Sequence, residues 1–515
     1  MTDTASAFTE ADAAALTPAA VVMLLTRLAE LETLVVALRA DNEQLRADND
    51  KLRADNEKLT ARVVALTAEA AKNAGNSSKP PSRDPVAERQ RQAEERAEKK
   101  KRAAGGTARS KGKQRGSRGQ TLAMTDQPDE MIEHIPAACG SCGAGLADAA
   151  VTKIVRRQVI EIPKPAPVVT EHQAQTRRCA GCGTCTTAAF PAGVRAPVSY
   201  GPRVQALVVY LLARQHLPVQ RCAEAMADLF GLKLSTGTVD AMYTRAGTKL
   251  AGFIAALVAW LATLPVLHAD ETTDRIGTTN CWMHVLSTGA FTLIHASTTR
   301  GRAALDEVGV LPRYRGVIVH DRLALYFMLK KAKHGICGAH LLRDLAGVAQ
   351  VRTQADWSTA LAALLLEINE ACHDARTSGH RRLAPTRQRA FAQRYDELVT
   401  AGLAANPAPA SGRKRNKLEA GSYNLAVAFR DRRSDILRFM RNLNVGFTNN
   451  QAERDLRPVK LHRKISSCFK SRAGAERFAH VRSYLSTTRK HDIGALDALT
   501  DLFNGNPWMP PVPST

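Results

Sequence analysis

Leucine recurs every seven residues along the first part of the chain: Leu24, Leu31, Leu38, Leu45, Leu52, Leu59 and Leu66. The second seam position of this heptad carries Leu28, Val35, Asn42, Asn49, Asn56 and Val63. Leucine at one position and asparagine at the other is typical of a parallel two-stranded coiled coil, in which buried Asn pairs fix register and dimer state. A lone solvated helix is the alternative. The unbroken register favours a parallel homodimer over residues 21–72.

Positive charge is concentrated in one segment of the chain. The 515 residues include 72 Lys and Arg against 49 Asp and Glu, a net charge of +23, which favours a polyanionic partner, nucleic acid before membrane. The predicted linker, residues 73–124, contains a stretch without any acid that carries Lys99, Lys100, Lys101, Arg102, Arg109, Lys111, Lys113, Arg115 and Arg118. A solvated tail would look similar, but one-signed charge over this length favours contact with DNA phosphates.

The chain carries no recognisable targeting segment. Residues 1–20 are polar, Ala-rich and acidic, unlike a secretory signal, and are expected to be disordered. The apolar run Ala251–Leu267 contains a proline and is short for a membrane span. Ten cysteines without a signal favour reduced thiols or metal ligands over disulfides. We therefore expect a cytoplasmic protein with no membrane partner.

Two matching Cys-x-x-Cys-Gly segments predict a metal site. Cys139 and Cys142 form the first pair and Cys179 and Cys182 the second. Each spacing lets two thiolates reach one tetrahedral ion, so the two pairs complete a structural Zn²⁺ site. Strand-like patterns at 157–162 and 168–173 lie between them, and we expect a zinc ribbon over residues 125–195. Cys185 could replace Cys182, although no glycine follows it.

A predicted helix-turn-helix follows the zinc ribbon, over residues 196–250. The pattern gives a helix at 218–230, a turn, and a second helix at 237–249 that Ser235 or Thr236 would cap. Any αα-hairpin produces the same pattern. The basic linker and the zinc ribbon favour the interpretation as a DNA-reading element.

The pattern changes to β at Val266. Strands are predicted at 266–270, 281–288, 291–296 and 316–320, and helices at 301–310, 323–331 and 473–490. Three hairpin-connected strands, a helix and a further strand make a ribonuclease-H-like layout. We expect its core over residues 251–335 and 446–492, an all-helical insertion at 336–445 and a Pro-rich tail at 493–515. The predicted fold class is multidomain α/β: coiled coil, zinc ribbon, helix-turn-helix, then the ribonuclease-H-like catalytic domain.

Three carboxylates lie at element ends within this core. Asp270 is in the first strand, Asp321 follows the fourth, and Glu453 lies near the start of a helix. Two divalent ions about 4 Å apart need carboxylates that converge from separate elements. Mg²⁺ binds a few carboxylates together with water and phosphate oxygens. The sequence therefore predicts a site for two Mg²⁺ or Mn²⁺ ions.

Neighbouring acidic residues have competing interpretations. Glu271 alternates to the opposite strand face and is predicted to be a supporting or surface group, whereas Asp274 shares the face of Asp270 nearer a turn. Asp455 competes with Glu453 but lies about 200° around the helix from it.

Polar residues near the third carboxylate are candidates for active-site support. Asn449, Asn450 and Arg457 lie one turn from Glu453 and would bind phosphate or merely cap and pair. His334, Cys337 and His340 have ligand-like spacing, but on a helix they would lack a fourth ligand. Support of the active site by Cys337 and His340 is favoured over zinc.

These segments resemble the IS66 family of bacterial insertion-sequence transposases, which are DDE enzymes. The matching segments are Asn76–Ser82, the two cysteine pairs, Leu267–Thr272, Cys337–Asp344 and Asn449–Pro458. The resemblance extends from the predicted coil to about residue 490. Many relatives have Gly-Tyr after the second aspartate, where this chain has Arg322 and Leu323.

The resemblance implies that Asp270, Asp321 and Glu453 are the catalytic triad. It further implies a bacterial, nucleoid-associated enzyme that recognises the terminal inverted repeats of its element, nicks the 3′ ends and joins them to target DNA, with any helper proteins that the element encodes. One alternative is a catalytically inactive DNA-binding protein derived from a transposase, against which the three retained carboxylates argue. Another is a ribonuclease-H-like nuclease, and the DNA-binding N-terminal half argues for site recognition instead.

Overall fold

A computed structural model describes residues 17–70, 94, 122–350 apart from 192 and 195, 354–407 and 417–511. The expected disorder before residue 17 lies outside the described residues. So does most of the basic linker, including the nine Lys and Arg residues of its acid-free stretch. The chain divides into two compact units. The first takes its described residues from within 1–83, 344–360 and 397–431, and the second from within 84–343, 361–396 and 432–515.

A single long helix begins the first unit. Helix α1, Pro18–Ala70, runs without interruption over residues 21–70 of the predicted coil, and residues 71 and 72 lie outside the described residues. The heptad leucines from Leu24 to Leu59 are exposed in the single chain; Leu38, Leu45 and Leu52 are 56, 67 and 65% exposed. Elsewhere in this unit the buried Gln354 side chain accepts hydrogen bonds from Trp357 Nε1 and Asn406 Nδ2, both at 2.7 Å.

The zinc-ribbon segment contains fewer strands than its sequence pattern predicts. Strands β1, Thr176–Arg178, and β2, Cys185–Thr187, pair antiparallel around the second cysteine pair. The strands predicted at 157–162 and 168–173 are wrong, because both segments are irregular. Their side chains explain why: Val159 and Val168 are 91 and 92% exposed, so no apolar face is buried to stabilise a strand.

Helices then cover one side of the second unit. The bounds are α2 Pro202–Val209, continued by a π-helical turn at Tyr210–Arg214, α3 Val219–Phe230, α4 Thr236–Lys249 and α5 Ala251–Thr263. The two predicted helices are thus present as α3 and α4, and Ser235 caps α4 by accepting the Thr238 N–H at 3.1 Å. Their use as a DNA-reading motif stays a prediction. Among the described residues no single helix is long and apolar enough to span a membrane, although the bent pair α4 and α5 together meets the length and composition.

The described strands that follow build one sheet in the order β5-β4-β3-β6-β7. Their bounds are β3 Val266–Ile276, β4 Thr279–Ser287, β5 Thr292–Ser297, β6 Val317–His320 and β7 Lys333–Ile336. β3, β4 and β5 are antiparallel, whereas β6 and β7 run parallel to β3. β3 is therefore the central strand.

Two departures from the predicted order lie next to β6. The helix predicted at 323–331 is wrong; only Tyr326–Met328 forms a 3₁₀ turn. Those residues instead form the short crossover to β7, a strand that the sequence did not predict. β7 has four residues and is mostly buried, so it shows no alternation of apolar and polar side chains.

Two apolar cores lie on the two faces of the sheet. Leu267, Ala269 and Ile318 pack with the helices α2–α5. Met283 and Val285 of β4 pack on the other face with Ala452 and Leu456, from the helix that carries Glu453. Since side chains alternate along a strand, Asp270 shares this second face and Glu271 the first.

The remaining helices complete both units. Their bounds are α6 Arg302–Glu307, α7 Gly338–Ala349, α8 Ala355–Thr377, α9 Pro385–Ala404, α10 Lys417–Asp431, α11 Arg433–Ile436, α12 Arg438–Arg441, α13 Asn450–Ser466, α14 Arg472–Lys490 and α15 Ala495–Asn504. Helix α15 corrects the predicted tail at 493–515. It buries Ala498, Leu499 and Leu502 in the first core, so this segment is part of the fold.

Candidate active site

The register of two parallel strands brings the first two carboxylates side by side. His268 of β3 pairs with Val319 of β6. Asp270 and Asp321 each lie two residues beyond that pair, on the same face of the sheet. Neighbouring strands lie about 4.8 Å apart, so the two carboxylates are neighbours across the strand gap. The N–H of Leu323 donates to Asp321 Oδ1 at 3.0 Å and orients that carboxylate at the end of β6.

Burial and neighbouring carboxylates disfavour the ionised form of Asp270. Burial raises the pKa of Asp270 to about 7, and the negative charges of Glu271, Asp321 and Glu453 act in the same direction. One hydrogen bond from the N–H of Glu271, at 2.9 Å, opposes them. A divalent cation among these carboxylates would stabilise the ionised form of Asp270.

A buried asparagine fixes the helix that carries Glu453 against the strand that carries Asp270. Asn449 precedes α13 and is fully buried. Its Nδ2 donates to the carbonyl of Ala269 at 2.8 Å, and its Oδ1 lies 3.0 Å from Nδ1 of His268. Of the two roles left open for Asn449, phosphate binding or pairing, these contacts favour pairing.

Three side chains in and just before helix α7 lie around Glu453 and Asn449. Cys337, just before α7, accepts the N–H of Asn449 on its Sγ at 3.1 Å. His340 Nδ1 and Arg343 Nη2 lie 3.8 and 3.9 Å from Glu453 Oε1. This proximity supports the predicted grouping of Cys337 and His340 with the third carboxylate.

His334 lies apart from that group. It is in strand β7, so the expectation that it shares a helix with Cys337 is wrong. Its Nδ1 lies 3.2 Å from Nε2 of the buried His320. Burial lowers the pKa of His320 to about 3, and the neighbouring His334 acts in the same direction. The two imidazoles form a neutral pair within the fold.

Glu271 is a buried partner of two residues that the sequence analysis missed. Its side chain is 3% exposed and accepts from Arg300 Nη2 at 2.8 Å and from the Tyr326 hydroxyl at 2.9 Å. Burial raises the pKa of Tyr326 well above its usual range, and Glu271, Asp270 and Asp321 add to the shift. Tyr326 is therefore a neutral donor next to the carboxylates. Its position in the crossover to β7 gave no sequence signal.

The other acidic candidates are held by the fold. Asp455 accepts from Lys490 at 2.7 Å, Gln451 at 3.0 Å and Thr292 at 3.1 Å. Asp274 is 1% exposed and lies opposite Cys281, near the hairpin turn between β3 and β4. The three partners of Asp455 engage its carboxylate within the fold, which favours Glu453 as the third carboxylate.

A basic face extends along α13 from Glu453. Arg457, Lys460 and Lys464 follow Glu453 by four, seven and eleven residues, so they share its side of the helix. All three are exposed, and within the described part of the chain none forms an ion pair. Asn450 is exposed at the start of the same helix. A polyanion that reaches Glu453 would meet this face.

The two cysteine pairs have the same backbone geometry. In each, the glycine N–H donates to the first cysteine carbonyl at 2.9 Å: Gly143 to Cys139 and Gly183 to Cys179. Both glycines have φ near +75°, which a residue with a side chain rarely adopts. Within the described residues the four thiols do not meet as one group. Each turn is thus suited to present its own two thiolates to a metal ion.

Comparison with protein families places these features in one family. Residues 197–477, more than half of the chain, match the Transposase IS66 family. The chain belongs to the IS66 transposase family. Residues 136–183 match the zinc-finger binding domain of transposase IS66, and residues 23–123 match a family of unknown function. No curated protein matches the chain.

Family membership confirms several predictions at a coarse level. The chain is a transposase-type enzyme with a mixed α/β, multidomain organisation, a helical N-terminus and a zinc-finger domain. The zinc-finger match contains Cys139, Cys142, Cys179 and Cys182 but ends before Cys185. The alternative of an inactive DNA-binding derivative gains no support from these matches.

Proposed function

We propose that this protein is a DDE transposase that binds the terminal inverted repeats of its element, cleaves DNA 3′ ends and joins them to target DNA. The observation that carries the proposal is the approach of Asp270, Asp321 and Glu453 from two parallel strands and a helix. The sheet order, with three antiparallel strands followed by parallel β6 and β7, supports a ribonuclease-H-like catalytic domain.

The three carboxylates fit a pair of Mg²⁺ or Mn²⁺ ions. The donors are oxygens only and come from separate elements. Burial, together with the negative charges of Glu271, Asp321 and Glu453, raises the pKa of Asp270. Two such ions, when bound, activate the attacking oxygen and stabilise the leaving oxygen of an in-line displacement. The ligands would be Asp270, Asp321 and Glu453.

The surrounding residues hold this arrangement in place. The Asn449 side chain ties the start of α13 to the backbone of β3 at Ala269, next to Asp270, and so holds the helix of Glu453 near Asp270. Tyr326 and Arg300 hold the Glu271 carboxylate away on the other sheet face. Rigid support of this kind keeps metal ligands within the narrow geometry that phosphoryl transfer requires.

DNA contacts are assigned to the basic residues. Arg457, Lys460 and Lys464 would follow the phosphates next to the scissile bond, and the linker residues Lys99–Arg118 would add contacts farther along. Each neutralised phosphate contributes about 0.9 to the slope of log K against log salt. Replacing the three α13 residues by Gln should lower that slope by about 3 units, and an unchanged slope would show that this face is only solvated.

The experiment that tests catalysis uses DNA ends defined by the inverted repeats that flank the gene. Asp270→Asn, Asp321→Asn and Glu453→Gln should each reduce cleavage and joining by more than about 100-fold, because each leaves an ion with too few ligands. End binding in Ca²⁺ should persist. The matched control is Asp274→Asn, on the same strand and face as Asp270, which should cleave normally.

Two results would overturn this assignment. Normal cleavage by any one of the three variants would remove that residue from the triad. Absence of cleavage by the wild type with Mg²⁺ and Mn²⁺, while specific end binding is intact, would instead favour the DNA-binding alternative.

A further inference from the structure

Cys337, His340 and Glu453 bring a sulfur, a nitrogen and an oxygen donor together where α7 begins. Their ligand atoms all lie within 4.8 Å of one another, and within the described residues this is the one group of three His, Cys or acidic side chains with that spacing. Metal bonds of about 2.0–2.3 Å place the ligand atoms of a tetrahedral ion about 3.5 Å apart. His340 Nδ1 and Glu453 Oε1 are already separated by 3.8 Å.

We propose that Cys337, His340 and Glu453 form a second transition-metal site, distinct from the zinc site predicted at the two cysteine pairs of the zinc finger. A thiolate, an imidazole and a carboxylate are the three donor types that Zn²⁺ combines in proteins. Mg²⁺ requires oxygen ligands and would not use the sulfur. The three side chains leave the fourth position to water.

The backbone around Cys337 suits a metal-bound sulfur. Burial raises the pKa of the Cys337 thiol, whereas the N–H groups of Asn449, His340 and Ala339 act in the opposite direction. The N–H of Asn449 lies 3.1 Å from the Cys337 Sγ, and Asn449 is also the residue that anchors the start of α13. Asn449 therefore both positions the helix of Glu453 and donates to the sulfur, and N–H donors of this kind stabilise a ligating thiolate.

Arg343 is a cation that such an ion would meet. Its Nη2 lies 3.9 Å from Glu453 Oε1, and its Nε donates to the carbonyl of Ala339 at 3.3 Å. The Cys337 thiolate and the Glu453 carboxylate together balance a divalent ion. Arg343 and His340 both approach Glu453 Oε1, so a bound ion would stand between that oxygen and the imidazole with the guanidinium alongside.

One consequence rests on the proposed function. An ion bound here would hold the carboxylate that the catalytic ions also require. Excess Zn²⁺ should therefore slow DNA cleavage at fixed Mg²⁺. Binding itself is measured without DNA, so a failure of this site and a failure of the DDE assignment are distinguishable.

The test uses the full-length protein, loaded with one equivalent of Zn²⁺ to occupy the zinc finger, and titrates it with Co²⁺. Wild-type protein should bind about one further equivalent with a thiolate-to-cobalt absorption band in the near ultraviolet. Cys337→Ser should lose that band and about one equivalent of metal. Cys372→Ser, which alters another fully buried thiol, should behave as wild type.

Two further variants decide the ligand set even where Cys337→Ser folds poorly. His340→Ala and Glu453→Gln change partly exposed side chains, and each should weaken Co²⁺ binding more than tenfold. Metal content and spectra that are identical in wild type, Cys337→Ser and His340→Ala would overturn the proposal. The proposal would also be overturned if Cys337→Ser lost Co²⁺ binding while His340→Ala and Glu453→Gln both kept it.

Discussion

Lys490 and Asp455 form a 2.7 Å ion pair in which both side chains are about one-eighth exposed. Lys490 ends α14 and also donates to the carbonyls of Thr288 and Phe291. Asp455 is only two residues from Glu453 on α13. The two neighbouring acids therefore have different roles. Asp455 joins α13 to α14 and β5, whereas Glu453 faces the candidate site.

Asp455→Asn should destabilise the protein without a specific effect on cleavage chemistry. Removing one partner of a nearly buried pair leaves Lys490 uncompensated, which costs about 3 kcal/mol. Glu453→Gln, at a side chain that is 32% exposed, should change the free energy of unfolding by less than about 1 kcal/mol. Urea unfolding followed by circular dichroism measures both. Equal losses of stability in Asp455→Asn and Glu453→Gln would contradict these two roles. So would an Asp455→Asn variant that is fully stable but does not cleave DNA.

Asp270→Asn should stabilise the metal-free protein at high pH. The pKa of Asp270 is about 7 in the fold, against about 3.9 in the unfolded chain, so between these values the folded state holds the extra proton. Stability is therefore lost as pH rises from about 4 to 7, by as much as about 4 kcal/mol. Asparagine cannot ionise and avoids that loss.

Thermal unfolding at pH 5 and pH 8, without added divalent metal, measures this effect. The variant should exceed wild type at pH 8 and approach it at pH 5. Saturating Mg²⁺ should raise the wild-type midpoint at pH 8 and leave that of Asp270→Asn nearly unchanged. If Asp270→Asn were less stable than wild type at pH 8, the fold would not destabilise the ionised Asp270 carboxylate.

Arg322→Gly should relieve strain beside the second carboxylate. Arg322 has φ of +79°, in the left-handed region that glycine tolerates and other residues pay about 1 kcal/mol to adopt. Arg322→Ala keeps the strain and removes the same side chain, so it is the matched control. Arg322→Gly should be more stable than Arg322→Ala by about 1 kcal/mol in denaturant unfolding, and the reverse order would contradict the strain.

Sequence patterns found those parts of the site that depend on local structure. Asp270 and Asp321 stand out because each lies in or directly after an apolar strand, and Glu453 because a helix begins just before it. The contacts of Glu271 with Tyr326 and Arg300 depend on how a crossover packs on the sheet, and no spacing along the chain encodes that. The predicted strands at 157–162 and 168–173 failed for a related reason: strand-like residues form strands only where a partner and a buried face exist.

The zinc finger should lose its ion when Cys182 is changed and keep it when Cys185 is changed. Cys182 lies in a turn with the same hydrogen bonds as that of Cys139 and Cys142, whereas Cys185 begins β2 and pairs with Arg178. Metal analysis of purified Cys182→Ser should give about one zinc per chain less than wild type. Cys185→Ser is the control, and the opposite result would make Cys185 the fourth ligand.

Helix α1 should form a parallel dimer through its heptad positions. Leu31, Leu38 and Leu45 are each more than half exposed on a single 53-residue helix, so a second copy is needed to bury them. Light scattering on residues 18–70 should give a dimer. Replacing Asn42, Asn49 and Asn56 together by Ile should raise the thermal midpoint and allow larger oligomers, because the buried asparagines hold the dimer state at a cost in stability. A control with Asp41, Asp48 and Asp55 changed to Asn, one residue off the seam, should remain dimeric. A monomeric or trimeric wild-type fragment would exclude this arrangement.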